Sequence, residues 1–128
     1  QGAVNWTRGR QVAKGETTTR PMAHIPPLFG RLALDYEHRW WTLEGYVLFS
    51  AHKPSDQFGD FATDNLDLML PSGSPSWWTL NVESEIQVHP SLSLRLGVRN
   101  ALDMHYRVFA SGISAAGRGV YASLHASF

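Results

Sequence analysis

The stretch Trp77–Val88, which reads WWTLNVESEIQV, alternates between apolar and polar side chains almost without a break. Its even positions are apolar except for Ser84, and its odd positions after Trp77 are threonine, asparagine, glutamate or glutamine. Successive side chains of a β-strand point to opposite faces, whereas a helix would spread both sets around its circumference. The stretch is therefore predicted to be a strand with one apolar face and one polar face.

The same period of two residues recurs elsewhere in the chain. It recurs in Leu92–Leu102, in Val120–Phe128 and in Leu32–Tyr36, and less cleanly in Leu43–Ala51. Val4–Trp6 has the pattern of one further, short strand near the beginning of the chain. These segments together predict an all-β fold, an antiparallel meander of about six strands.

The predicted connections alternate strictly between short and long. His38–Trp41 and His89–Ser91 are tight turns, whereas Gly9–Phe29, His52–Ser76 and Asp103–Gly117 are long. A meander of this kind carries all its long loops at one end, as outer-membrane β-barrels do. Aromatic residues also lie near the predicted strand ends, where such barrels have their aromatic girdles: Trp6, Trp40, Trp41, Trp77, Trp78 and Phe128. The pattern therefore favours strands that cross a membrane.

Composition narrows the class of protein further. The 128 residues contain 11 basic and 11 acidic side chains and no cysteine. This balance argues against a nucleic-acid partner, and the lack of cysteine excludes disulfides and thiolate chemistry. Six strands are too few to close a lumen in lipid, because even the smallest single-chain barrels use about eight. Residues 1–128 are therefore expected to be part of a larger barrel or one of several copies sharing a barrel, with a soluble all-β binding module as the remaining alternative.

Four motifs follow one another along the chain. Ile25-Pro26-Pro27 precedes the second predicted strand, and Pro75-Ser76-Trp77-Trp78 begins a later hairpin. The third and fourth lie after that hairpin and are formed by Asn100, Ala101, Leu102, Asp103, Tyr106, Gly117 and Arg118. Together with Phe128, they resemble the C-terminal end of TonB-dependent outer-membrane receptors. Two departures are Ala101-Leu102, where the family usually has leucine and phenylalanine, and Ala116, where it has proline.

The resemblance implies that residues 1–128 form about the last quarter of a transmembrane barrel of about 22 strands, without its plug domain or TonB box. It implies import across the outer membrane of a Gram-negative bacterium, most often of a ferric siderophore or a similar metal chelate. The implied partners are the lipid bilayer, lipopolysaccharide, the barrel-assembly machinery, the TonB complex acting through the plug, and the small nutrient ligand. A passive channel or structural barrel element built from several copies remains the alternative.

The last predicted strand resembles the signal that the barrel-assembly machinery reads in outer-membrane proteins. The residues concerned alternate along the strand and end in an aromatic side chain: Val120, Ala122, Leu124, Ala126 and Phe128. An unpaired last strand can add to the edge of another sheet, and its alternate side chains then give specificity. The alternative is that Phe128 serves only as a lipid-facing anchor.

The sequence predicts no enzyme, cofactor or metal site. Its six histidines are dispersed, and no pair has the spacing of helical metal ligands. The first long loop is mainly basic and the second is acidic, with Asp56, Asp60, Asp64 and Asp67. A basic loop can gather an anionic ligand, but the two loops can equally attract each other or contact lipopolysaccharide. The candidate ligand-binding residues are Arg8, Arg10, His52, Trp77, Tyr106 and Arg107.

Overall fold

Eight β-strands form two antiparallel sheets in the computed structural model, which describes residues 1–12, 15, 17–59 and 70–127. Six of the strands form the main sheet, in the spatial order β1 (Gly2–Asn5), β4 (Phe29–His38), β5 (Trp41–Ser50), β6 (Trp77–His89), β7 (Leu92–Arg99) and β8 (Gly119–Ala126). The other two, β2 (Arg10–Val12) and β3 (Thr19–Pro21), pair as a separate hairpin. The predicted six-stranded antiparallel meander is confirmed.

Strand register confirms the alternation from which β6 was predicted. On one side of the sheet, Val47 lies opposite Leu80 and Phe49 lies opposite Trp78, and we call this side the apolar face. On the other, the polar face, Glu85 pairs with Arg95. The single polar residue among the alternating apolar positions of β6, Ser84, accepts a hydrogen bond of 2.5 Å from the indole nitrogen of Trp41. Its hydroxyl is therefore satisfied by a side chain of the neighbouring strand.

In the part of the chain that the structure describes, the main sheet is a single layer, and no second layer packs against its apolar face. Leu34 is 83% exposed and Val120 is 77% exposed on this face. Among the described residues, Ala33, Phe58 and Pro27 are buried apolar side chains. The apolar face of the sheet therefore forms an external surface and not an interior core.

The connections alternate as the sequence predicts. Two-residue turns join β4 to β5 and β6 to β7, whereas β1–β4, β5–β6 and β7–β8 are joined by long segments. Because neighbouring strands are antiparallel, all three long connections lie at the same end of the strands. We call this end of the sheet the long-loop edge, as distinct from the edge strands β1 and β8. The β2–β3 hairpin and a 3₁₀ turn at Ser55–Gln57 lie within these connections and were not predicted.

Two strand limits differ from the prediction. β7 ends at Arg99 and not at Leu102, because Asn100 adopts a left-handed conformation with φ of 49° that breaks the extended backbone. β1 ends at Asn5, so Trp6 lies beyond it. Phe128, with which the last strand was predicted to end, lies outside the described residues. In the described part of the chain, no helix has the length and apolar character needed to span a membrane.

Candidate functional site

Asn100 organises the third long connection, which follows β7. It is buried, and its Nδ2 donates to the carbonyl oxygens of Met104 at 2.9 Å and Ala116 at 3.3 Å. Its Oδ1 accepts the backbone N–H of Met104 at 2.9 Å, and its own N–H donates to Oδ1 of Asn81 on β6 at 2.9 Å. Asparagine suits this position because it tolerates a left-handed backbone and offers both a donor and an acceptor.

Asp103 continues the same hydrogen-bonded unit. It too has a positive φ, 54°, and its N–H donates to the carbonyl oxygen of Asn100 at 2.8 Å. Its Oδ1 accepts the N–H of Arg118 at 2.7 Å, which fixes the residue just before β8. A Cβ at Gly117 would lie 2.6 Å from this oxygen, so glycine leaves the space that the carboxylate needs. Four of the motif residues therefore close one loop: Asn100, Asp103, Gly117 and Arg118.

The other motif residues take different positions. Ala101 donates its N–H to the carbonyl oxygen of Leu80 at 2.8 Å, while the side chain of Leu102 is exposed. Tyr106 lies against Trp77, with 4.3 Å between ring centroids and 34° between ring planes. Leu102 is thus the motif residue whose side chain contributes least to the loop.

Trp77 stands at the start of β6 on the polar face, opposite Ser50. Its Nε1 is buried and has no hydrogen-bond partner in the part of the chain that the structure describes. Trp78, the next residue, is on the apolar face, and it is 45% exposed. Trp77 and Trp78 therefore lie on opposite faces of the main sheet.

A cavity of about 350 Å³ lies beside Trp77, and we call it the Trp77 cavity. It is formed by the end of the second long connection and by the third. His105 Nε2 lies 3.0 Å from the hydroxyl of Ser114 at its wall. Its lining comprises Leu70, Gly73, Ser74, Pro75, Ser76, Trp77, His105, Tyr106, Arg107, Val108 and Ser114. Three of the six predicted ligand-binding residues, Trp77, Tyr106 and Arg107, therefore meet here.

The other three predicted residues, Arg8, Arg10 and His52, line a second cavity of about 520 Å³, the Arg8 cavity. The first and second long connections form it, and Asp56 is also at its wall. The acidic residues Asp60, Asp64 and Asp67 lie outside the described residues. The structure thus divides the predicted set between two cavities instead of bringing it together in one.

Lys53 is a residue of this edge that sequence reasoning missed. It is 4% exposed, and its Nζ lies 4.8 Å from the ring centroid of Phe58 and 4.5 Å from that of Phe109. The Nζ also donates to the carbonyl oxygen of Ile25. One cation therefore contacts all three long connections. A single lysine in a polar loop gives no local signal of burial, since its partners are distant in sequence.

Backbone hydrogen bonds join Lys53, which lines one cavity, to Ser74, which lines the other. The N–H of Lys53 donates to the carbonyl oxygen of Ser74 at 3.0 Å, and the N–H of Ser74 donates back at 2.9 Å. His52 Nδ1 lies 3.0 Å from the same carbonyl oxygen of Ser74. Lys53 lines the Arg8 cavity and Ser74 lines the Trp77 cavity.

No protein-family profile matches the chain, and no curated protein sequence matches it. Eighteen chains among solved structures do match. One is described as "Copper transporter OprC", with a TM-score of 0.78, 19% sequence identity, and coverage of 99% of this chain and 20% of that chain.

At this identity the likeness is one of fold. The present chain spans about one fifth of the length of the OprC chain, and almost all of it takes part in the match. The predicted fold class, an all-β antiparallel meander of the barrel type, is therefore confirmed. The number of strands in any parent protein stays a prediction.

Away from the long-loop edge, the polar face of the main sheet carries ion pairs. Arg31 forms an ion pair with Glu44, and its guanidinium lies 4.3 Å from the ring centroid of Tyr46. The hydroxyl of Tyr46 donates to Glu83 at 3.1 Å, so these four residues link three strands. In the described ranges, no group of three or more histidine or acidic side chains is placed to hold a metal ion.

The strand predicted to be an assembly signal, β8, forms one edge of the main sheet. Val120, Ala122, Leu124 and Ala126 pair with apolar-face residues of β7, and Val120 and Leu124 are well exposed. The side of β8 away from β7 has no partner strand in the described part of the chain. This arrangement can present both a free strand edge and a row of alternate apolar side chains.

Proposed function

We propose that the chain is a wall segment of an outer-membrane β-barrel that imports a small nutrient, with its long-loop edge on the ligand side. The observation that carries the proposal is the combination of a single-layer sheet with an exposed apolar face and three long connections gathered at one edge. Antiparallel sheets that alternate apolar and polar residues and place long loops at one end are typical of such barrels. The fold likeness to a protein described as a copper transporter supports the same assignment.

The apolar face is proposed to lie against lipid in the outer membrane of a Gram-negative bacterium. Leu34, Val120 and Leu124 are exposed on it, and such an arrangement is costly in water but favourable in a hydrocarbon layer. Lipopolysaccharide is the proposed contact at the level of the long-loop edge. This exposed face argues against the alternative of a soluble binding module.

The polar face is proposed to line the lumen. Its ion pairs, such as Arg31 with Glu44 and Arg95 with Glu85, are what a wet or plugged interior tolerates. By resemblance to TonB-dependent receptors, a plug domain would occupy this lumen and connect the barrel to the TonB complex.

The proposed cargo is a metal chelate, such as a ferric siderophore, and not a macromolecule. Cavities of about 350 and 520 Å³ at the long-loop edge have the size of small-molecule sites. The aromatic stack of Trp77 and Tyr106 and the basic side chains Arg8 and Arg10 suit a bulky organic anion.

A second candidate is a passive barrel shared by several copies of the chain. The observation that favours it is that β1 and β8 leave two strand edges at the ends of the main sheet, which identical chains can join.

The two candidate functions differ in their energy source, because import through a TonB complex needs the proton gradient and a passive barrel does not. The gene would be expressed in a Gram-negative host that lacks its own metal receptors, and uptake of radiolabelled ferric chelates and of copper(II) would be measured with and without a protonophore. Uptake that stops when the proton gradient is collapsed is the expected result. Uptake that continues unchanged would favour the passive barrel, and recovery of the protein in the soluble fraction would overturn both.

The assembly role of the last strand is tested separately. Deletion of Phe128 is expected to lower the amount of heat-modifiable protein in the outer membrane several-fold, because the signal would lose its aromatic end. Replacement of Phe128 by tyrosine, which keeps the ring, serves as the matched control. Equal outer-membrane levels for the deletion and the control would contradict the assignment.

A further inference from the structure

His52, at the wall of the Arg8 cavity, uses one of its two ring nitrogens within the chain. Its Nδ1 lies 3.0 Å from the carbonyl oxygen of Ser74, and a carbonyl oxygen can only accept a hydrogen bond. Nδ1 therefore carries the proton of the neutral ring, which leaves a lone pair on Nε2. The side chain is exposed, and Nε2 has no hydrogen-bond partner in the part of the chain that the structure describes. Histidines that bind metals usually donate their other ring N–H to a carbonyl or carboxylate oxygen in this way.

The ring is attached to a backbone that is held on both sides. Before it, the N–H of Ala51 donates to the carbonyl oxygen of Leu28 at 2.8 Å. After it, Lys53 and Ser74 exchange two backbone hydrogen bonds. Gly73 permits this exchange, because its φ is 101° and a Cβ there would lie 2.1 Å from the carbonyl oxygen of Lys53. The imidazole is therefore oriented before any ligand binds.

The charge of the Arg8 cavity argues against a bare metal ion as the ligand. Arg8 and Arg10 line the cavity, both are exposed, and neither forms an ion pair with another described residue. The buried cation of Lys53 is also at the wall, and the one carboxylate of the described lining is that of Asp56. Within the described ranges, no group of three or more histidine or acidic side chains could hold an ion. A metal that binds here therefore has to bring most of its donor atoms with it, in a complex of negative charge.

We propose that the Arg8 cavity binds an anionic metal chelate that has an open coordination position, and that Nε2 of His52 fills this position. Imidazole is a good ligand for copper, zinc, nickel and iron. Arg8 and Arg10 donate to carboxylate arms of the chelate, since a guanidinium offers a planar pair of donors that matches a carboxylate. A role of this site in import rests on the proposed function, whereas binding of the chelate does not.

The inference narrows the class of cargo. A chelate whose own donors fill every position of its metal gains no bond from His52. A chelate with fewer donors gains the imidazole bond and keeps its contacts with the two arginines. The site therefore selects by coordination as well as by charge.

Electron paramagnetic resonance observes the proposed bond directly. The full-length protein, purified in detergent from outer membranes, would be titrated with copper(II) nitrilotriacetate, an anionic complex that leaves coordination positions open for an imidazole. The copper signal is expected to gain hyperfine coupling to an imidazole nitrogen, and labelling with ¹⁵N-histidine is expected to change that coupling. A copper signal that the label leaves unchanged overturns the proposal.

Variants assign the coupling to one of the six histidines. His52→Ala is expected to lose both the coupling and the saturable binding of the complex. His89→Ala removes another exposed imidazole, at the end of β6 away from the long-loop edge, and is expected to bind as the unmodified protein does. Equal binding by the two variants overturns the assignment to His52.

Two further complexes separate the open position from the charge. Cobalt(III) ethylenediaminetetraacetate is also anionic but has no open position, so it is expected not to displace the copper complex. Copper(II) terpyridine has an open position but is a cation. Arg8→Gln together with Arg10→Gln is expected to weaken the nitrilotriacetate complex about tenfold and not to weaken the terpyridine complex. Displacement by the cobalt complex, or equal weakening of both copper complexes, overturns the proposal.

Uptake distinguishes a failure of this site from a failure of the transport function. Coordination by His52 in a protein that imports nothing overturns the proposed transport function and leaves the site in place. Uptake of the copper complex that His52→Ala leaves unchanged overturns the role of the site and leaves the transport function in place.

Discussion

The apolar face of the main sheet and the long-loop edge distribute apolar and polar side chains in opposite ways. On the face, large apolar side chains such as Leu34 and Val120 are exposed. At the edge, the polar side chains of Lys53, Ser74 and Asn100 are buried. Water-soluble domains generally bury the first kind and expose the second. The apolar face is therefore left for the proposed lipid surroundings to cover, whereas the edge is held by polar contacts of its own.

A charge placed on the apolar face is expected to have the largest effect on stability, and it tests whether this face requires apolar surroundings. Leu34→Arg is expected to destabilise the folded barrel in lipid vesicles by about 3 kcal/mol, since an arginine would be exposed to hydrocarbon. The unfolding free energy in urea, measured in phosphatidylcholine vesicles, gives the value. Thr42→Arg introduces the same charge on the polar face opposite Glu85 and is the control. Equal losses for the two variants would contradict the assignment of the faces.

Removal of the side chain of Asn100 tests the polar contacts of the edge. Asn100→Ala loses the hydrogen bonds to Met104 and Ala116 and places alanine at a positive φ, so a loss of about 2 kcal/mol in unfolding free energy is expected. Asn100→Gly keeps the backbone freedom and loses only the side chain, so its loss is expected to be smaller. If glycine costs as much as alanine, the left-handed backbone has no part in the effect.

The role of the buried Lys53 cation is tested by Lys53→Met, because the methionine side chain has a similar length and no charge. It removes the contacts with the Phe58 and Phe109 rings and leaves the Ile25 carbonyl without this donor, with an expected loss of about 1.5 kcal/mol. Limited proteolysis is expected to cut the long connections several-fold faster. Lys53→Arg retains a cation, so its cleavage rate is expected to lie between those of the unmodified protein and Lys53→Met. Unchanged cleavage of Lys53→Met would show that the edge does not depend on the cation.

The smallest effect is expected at Leu102, which belongs to the same motif as Asn100. Its side chain is 55% exposed, so Leu102→Ala is expected to change the unfolding free energy by less than about 0.5 kcal/mol. The same urea titration used for Asn100→Ala provides the comparison. A loss as large as that of Asn100→Ala would mean that Leu102 is covered by a partner in the assembled protein.

Sequence patterns were sufficient to predict the sheet, because residues close together in the chain determine strand alternation and tight turns. The alternation in Trp77–Val88 specifies both the strand and its two faces, and the tight turns locate the short-turn end. The β2–β3 hairpin was missed because strands of three residues are too short to show a period. The end of β7 was placed too late, since Asn100 continues a stretch of strand-like residues while its backbone is left-handed.

The site was predictable only in part, for a different physical reason. Trp77, Tyr106 and Arg107 were predicted from residue type and from their position near strand ends, and they line one cavity. The burial of Lys53 arises from contacts with Ile25 and Phe109, which lie far away in sequence. No window of sequence contains such a contact. The division of the candidate residues between two cavities depends on the same long-range packing.

The pair of backbone hydrogen bonds between Lys53 and Ser74 has a thermodynamic consequence for the two cavities. A ligand that shifts Ser74 in the Trp77 cavity also acts on the backbone of Lys53 in the Arg8 cavity, through two hydrogen bonds. Linkage requires that any such influence be equal in both directions, so each occupant would change the affinity of the other by the same factor. Under the proposed function, coupling between two bound molecules, or between two parts of one molecule, would pass through this pair of residues.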